Sequence, residues 1–298
     1  MKTVIYLILS ILTASCAIAQ TNADEHEWKA TLKVVDENGS PVAKASVKVG
    51  YYIKNTSVDI EGMTDTNGIF VADRTTSTFN YVEYALAFVI DKEGYYGTRS
   101  KCDLGLPYDA SKWNPTITLL LKKVGKPIPM YAKRINSLRV PEFNKAIGYD
   151  LMIGDWVGPY GKGVNADLFI TEKHTDPQSG YILSVSFPKP GDGIQEFTVP
   201  DADKGSGLRS AHEAPADGYQ REVSQTETTN PNRNLYFRVR TKLDENGNVV
   251  SARYGKIYGD LAQFTYYFNP TPNDLNIEFD PKQNLLGGIQ SFEQVTSP

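Results

Sequence analysis

Three histidines are the first place to look for a metal or an acid–base pair, and their spacing supplies neither. His26, His174 and His212 stand far apart in the 298-residue chain. None belongs to a His-x-x-Glu or His-Glu-x-x-His pattern that would set two ligands on one ion. Nucleophilic chemistry finds no Gly-x-Ser-x-Gly elbow, since Gly205-Ser206-Gly207 is flanked by Lys204 and Leu208 with no strand leading in. Glycoside hydrolysis needs two carboxylates about 5–10 Å apart. Among 35 acids spacing alone neither singles out nor removes such a pair. Asp201-Ala202-Asp203-Lys204-Gly205 alternates carboxylates as a calcium loop does, but it lacks a third oxygen ligand and the closing Glu. A solvated Asp-Gly turn is the simpler reading. No catalytic residue, metal ligand or cofactor is assigned.

Two features suggest binding instead. Asp244-Glu245-Asn246-Gly247 has the strongest short hairpin signal, Asn-Gly. A two-residue turn there pairs Leu243 with Val250, Thr241 with Ala252 and Val239 with Tyr254. On the other face it sets Arg240 against Arg253, with Arg238 one step along. Opposed guanidiniums need an anion or carboxylates between them. The plain reading is an intramolecular partner such as Asp260 or Glu278, and the sharper one is an acidic ligand such as a uronic sugar. Trp156 and Tyr160 lie among glycines with no alternation, either as buried loop anchors or as a platform on which a sugar stacks. The candidate ligand-binding residues are therefore Trp156, Tyr160, Arg238, Arg240 and Arg253.

The elements that must position these residues are strands. Trp28, Ala30, Leu32 and Val34 alternate with Lys29, Thr31 and Lys33, and Ala45, Val47 and Val49 with Lys44, Ser46 and Lys48. This period of two is that of half-buried strands. A simple hairpin across Asn38-Gly39 would oppose Lys33 to Lys44 and Lys29 to Lys48, which is destabilising, and Pro41 would remove a ladder donor. The chain is therefore expected to cross to a second sheet there, making a sandwich. Val82, Tyr84, Leu86, Phe88 and Ile90 predict a central strand, and Ile117, Leu119 and Leu121 a closing one. Further on, Tyr181, Leu183, Val185 and Phe187, then Leu235, Phe237 and Val239, then Phe264, Tyr266 and Phe268 repeat the pattern. Pro188 to Tyr219 reads as a long loop, a lid or a mobile segment.

Lys2, the apolar run Val4 to Leu12 and Ala17-Ile18-Ala19 predict a signal peptide over residues 1–19, cleaved before Gln20. That run is shorter than the roughly 20 residues needed to span a bilayer, and no other approaches that length. A lipoprotein anchored at Cys16 is the minority reading. Loss of Lys2 takes the formal charge from −4 to −5, an acidic balance that argues against nucleic acid as a partner. Cleavage would leave Cys102 as the one cysteine, so no intrachain disulfide is expected. A buried small hydrophobe is its simplest role. The expected location is secreted or periplasmic, with no integral membrane segment.

Gly39-Ser40-Pro41-Val42-Ala43-Lys44-Ala45-Ser46-Val47, followed by Thr64-Asp65-Thr66-Asn67-Gly68-Ile69-Phe70, resembles the carboxypeptidase regulatory-like domain. That resemblance covers about a third of the chain and implies a seven-stranded, transthyretin-like or Ig-like sandwich. The module is an accessory to many proteins, so the likeness implies no activity. Gly154-Asp155-Trp156-Val157, Pro159-Tyr160-Gly161-Lys162-Gly163, Gly191-Asp192-Gly193-Ile194-Gln195, Gly255-Lys256-Ile257-Tyr258-Gly259-Asp260 and the stretch from Tyr267 to Asp274 resemble a C-terminal region. It recurs in secreted bacterial proteins of the same uncharacterised kind. The expected plan is all-β: a sandwich over residues 27–124, a linker over 125–145 and a second antiparallel β-rich domain over 146–298. The expected function is a non-catalytic module binding a carbohydrate or a cell-surface partner through loops and an open sheet face. A structural or assembly subunit is the alternative, and a carbohydrate-active enzyme the third reading.

Overall fold

The computed structural model describes residues 25–53, 56–77, 84–105, 115–176, 180–199, 205–225 and 233–298. The expected signal segment, Cys16, and Asp201 with Asp203 lie outside them, as do the side chains of His26 and Cys102. Among the described residues the protein is all-β, with eighteen strands and no α-helix.

The first seven strands are β1 (Glu25–Val35), β2 (Ser46–Ile53), β3 (Thr56–Met63), β4 (Ile69–Ser77), β5 (Tyr84–Asp91), β6 (Thr98–Gly105) and β7 (Thr116–Leu120). They form two sheets, ordered β4-β1-β7 and β3-β2-β5-β6. The chain does leave one sheet for the other after Gly39, as the lysine clash requires. The alternating residues Leu32, Val34, Val47, Val49, Leu86, Ile90 and Leu121 close a common core, each aliphatic side chain contributing about 1.5–3 kcal/mol of burial.

One turn recurs in the chain. At Asp36–Gly39, Asp65–Gly68 and Asp244–Gly247 the glycine N–H donates to the aspartate carbonyl, at 2.8, 3.1 and 3.1 Å. The aspartate Oδ1 accepts the N–H groups two and four residues on. The glycines take φ of 74°, 73° and 82°, a left-handed conformation that glycine adopts without a Cβ clash. Glu245-Asn246-Gly247 is thus a three-residue loop and not the expected two-residue turn. Leu243 pairs with Val249 and Val239 with Arg253, one residue out of the expected register.

The remaining strands are β8 (Ile128–Ile135), β9 (Ile147–Asp150), β10 (Asp155–Trp156), β11 (Leu168–Asp176), β12 (Gly180–Ser186), β13 (Gly193–Phe197), β14 (Glu222–Gln225), β15 (Asn234–Leu243), β16 (Val249–Gly259), β17 (Phe264–Phe268) and β18 (Phe279–Asn284). They form a five-stranded sheet, β10-β9-β11-β12-β14, and a six-stranded one, β13-β15-β16-β17-β8-β18. Ile170, Leu183, Val185, Phe237, Val239, Tyr266 and Phe268 fill the space between them. Two differences from expectation matter. The segment expected as a linker contains β8, whose Tyr131–Ile135 stretch pairs with β17. Pro127 and Pro129 precede that stretch, so their missing N–H groups cost its ladder nothing.

The segment from Pro188 to Tyr219 is no lid in its described parts. It supplies β13, and Leu208, Ser210 and Ala214 are buried. The outer face of the six-stranded sheet is covered: Tyr236, Ala252, Tyr254 and Tyr258 are buried there, and Lys256 wholly so. The two sandwiches meet on this side. Lys122 Nζ donates to the carbonyls of Arg209 and Ser210, Arg99 N–H to Gly205 O and Gly207 N–H to Gly97 O.

Candidate functional site

The register shift and a bulge in β15 between Val239 and Lys242 separate the three arginines that were expected together. Arg240 is the bulge residue, at φ +57°. Its Nε donates to Asp167 Oδ1 at 2.6 Å and its Nη2 to Asp167 Oδ2 and Asp150 Oδ1. Its ion-pair partners are therefore intramolecular, but they are Asp150 and Asp167 and not Asp260 or Glu278. Arg238 donates to Gly191 O and Ala216 O and stands 4.8 Å over the Tyr219 ring, tying down the segments on either side of β13. Arg253 donates to Pro270 O. Tyr160 packs against the core and its hydroxyl donates to Glu142 and accepts from Lys145, so it is a loop anchor.

Trp156 is brought to a cleft. Its ring meets Tyr149 edge-on at 5.3 Å, which fixes it, and it lines a chamber of about 640 Å³ together with Lys133, Arg134, Arg139 and Phe292. Phe292 stands in a short 3-10 turn, Ser291–Glu293, and is 60% exposed. A second chamber, about 490 Å³, shares Arg134, Ile135 and Asn136 with the first and adds Ser206, Arg209, Tyr258 and Tyr267. The end of β8 is the common wall.

Electrostatics distinguish the cleft's charged groups. Lys133 is paired to Glu293 at 3.0 Å and to Gly154 O at 2.9 Å. Asp155 accepts the N–H groups of Trp156 and Lys162, and Asp260 Oδ1 those of Ala262 and Gln263. Arg134, Arg139 and Arg209 have no ion-pair partner among the described residues. Arg209 lies 5.5 Å over the Tyr258 ring. Lys256 sits near the same ring, its Nζ 5.0 Å from the Tyr258 centroid, 4.8 Å from that of Tyr267 and 3.3 Å from Ser210 Oγ. Burial pushes its ammonium well below the usual lysine range.

The histidines do not gather. His174 pairs with Glu172, while His212 bridges Glu278, at 2.6 Å, and Glu37, at 3.2 Å. Among the described residues no group of three or more His, Cys, Asp or Glu side chains is placed to hold a metal ion. No described helix is long and apolar enough to cross a membrane.

Sequence reading missed Arg134, Arg139, Arg209 and Phe292. The signal available was short: Met130 and Ala132 make one apolar face over two turns of the pleat, before Arg134 breaks it, in a stretch set aside for its prolines.

No family model matches the chain, and no curated protein matches it. Among solved structures it is similar to 3-chlorocatechol 1,2-dioxygenase from Rhodococcus opacus, at 15% identity over 35% of this chain and 62% of that one, TM-score 0.26. It is also similar to the shaft pilin SpaA from Lactobacillus rhamnosus GG, at 9% identity over 57% and 90% of the two chains, TM-score 0.25. A DUF3823 family protein from Parabacteroides merdae aligns at 12% identity over 86% and 100%, TM-score 0.20. The matched region spans less than two thirds of the dioxygenase's length. At these TM-scores the likenesses carry no argument for a shared activity.

Proposed function

We propose that this protein is an exported, non-catalytic β-sandwich module that holds an extended carbohydrate chain in the cleft along the end of β8. The observation that carries the reading is the pair of adjoining chambers with the rings of Trp156 and Phe292 on one of them. Aromatic faces stack on the C–H faces of sugar rings, and convergent polar groups fix the hydroxyls. Export rests on Lys2, the Val4 to Leu12 run and Ala17-Ile18-Ala19. The carboxypeptidase regulatory-like reading of the first sandwich supports an accessory role. Phe292 is exposed and carries little of the fold, so Phe292→Ala is the informative change. Affinity electrophoresis against a panel of polysaccharides should show retardation of the native protein and a loss of about tenfold in affinity for the variant, on the scale of one lost ring contact. Retardation unchanged by Phe292→Ala would remove the cleft from consideration. A blank panel together with oligomers on size analysis would establish the assembly reading instead.

A further inference from the structure

We infer that the smaller chamber is a subsite for an oxyanion carried on the sugar, a uronic carboxylate or a sulfate ester, held between Arg134 and Arg209. The inference rests on the cleft being the carbohydrate site and names the class of sugar it takes. Two guanidiniums without carboxylate partners among the described residues face one cavity, in a chain whose formal charge is −4. Guanidinium presents paired donors that match the spacing of two oxyanion oxygens. Arg209 is held against the Tyr258 ring, so ordering it costs a ligand little.

A second observation is independent of charge. Ser206 lines the same chamber, is 3% exposed, and its Oγ has no hydrogen-bond partner among the described residues. A buried hydroxyl left without a partner is costly, and an oxyanion oxygen in the chamber would accept from it. Asp260, the side-chain carboxylate that lines this chamber, spends Oδ1 on two backbone N–H groups of its own turn, and Ser297 and Pro298 line the chamber beside it. The Arg134 wall continues into the larger chamber, so a chain with its charged group near Arg209 runs on toward Trp156 and Phe292.

The test is calorimetric titration with an oligogalacturonide, its neutral methyl ester and a sulfated galactan oligosaccharide. The acid should bind about tenfold or more tightly than its ester, the scale of one charge-assisted contact, and its affinity should fall as salt rises. Arg209→Met should abolish that preference, and Phe292→Ala should weaken acid and ester alike. Arg134→Met, at an exposed position, gives the same reading should Arg209→Met fail to fold. Tighter binding of the sulfated arm would assign the oxyanion to sulfate, and tighter binding of the galacturonide to carboxylate. Equal affinity for acid and ester, with both still weakened by Phe292→Ala, would overturn the oxyanion subsite and leave the carbohydrate cleft standing. No binding of any arm would overturn both.

Discussion

Arg240 shows what a single residue is asked to do in the second sandwich. Its side chain is 18% exposed, while those of Asp167 and Asp150 are 0% and 1% exposed. Burial works against the guanidinium's charge, but the bonds it donates to Asp167 outweigh this and hold the pKa above the usual range. Asp150 also accepts the N–H groups of Met152, Val164 and Asn165, so this one cluster fixes the loops on either side of Trp156. Arg240→Ala leaves two buried carboxylates with less compensation. Breaking a buried pair in this way costs about 3–5 kcal/mol, or roughly a 10 °C fall in melting temperature for a domain of this size. Calorimetry should show that fall, and a loss below about 1 kcal/mol, the scale of an exposed pair, would mean that the cluster is solvated. The need for a partner was legible in the arginine's position on a strand. The identity of that partner was not, because Asp150 and Asp167 reach Arg240 only through the packing of one sheet on the other.

The recurring Asp-x-Asn-Gly turn sets the register of the strands around it, and its three copies differ in a way that can be measured. A Cβ on Gly247 would meet nothing within 4 Å, whereas one on Gly68 would fall 2.4 Å from the carbonyl oxygen of Val34. Gly247→Ala therefore carries only the cost of a left-handed φ, about 1–2 kcal/mol. Gly68→Ala carries that cost and a collision with the backbone of β1, so its urea midpoint should fall by at least about twice as much. Equal shifts would show that β1 yields to the turn. At this scale most of the fold was legible: the period-two faces, the turns, and the crossing after Gly39 forced by Lys33, Lys44 and Pro41. What escaped was a matter of one residue or of long range. Asp244 turns the hairpin through three residues instead of two, and the bulge at Arg240 sets Arg253 opposite Val239. Pro127 and Pro129 concealed the strand that walls the cleft. Nothing local in residues 205–219 says that they must cover Tyr236 and Tyr254, because that demand is made by a sheet buried on both faces.

Between the sandwiches, Glu278 is the hub. Its carboxylate accepts from Tyr96 Oη at 2.6 Å, from the N–H groups of Gly125 and Lys126, and from His212 Nδ1. His212 reaches on to Glu37 in the first Asp-x-Asn-Gly turn, where Lys123 pairs with Asp36. Burial opposes the charge on His212, but its bonds to Glu37 and Glu278 outweigh this and raise its pKa above 6.5. For Glu278 burial likewise opposes the charge, here by pushing the pKa up, and the bonds donated by Tyr96 and His212 outweigh it and hold the pKa below 4.5. The signs give a window. A histidine whose folded pKa is raised stabilises the joint fully below pH 6.5, and that contribution is lost as pH climbs through the raised value. The depressed glutamate stabilises it above pH 4.5, and that contribution is lost as pH falls through its lowered value. The joint is therefore firmest in mildly acidic solution. Urea midpoints measured from pH 3 to 9 should decline across the histidine's titration, and His212→Asn should flatten that limb and shrink the acid one, where Tyr96 still holds Glu278. A variant that keeps the decline would place its cause elsewhere, and the bridge from His212 to Glu37 would then add nothing to the joint beyond the hub at Glu278.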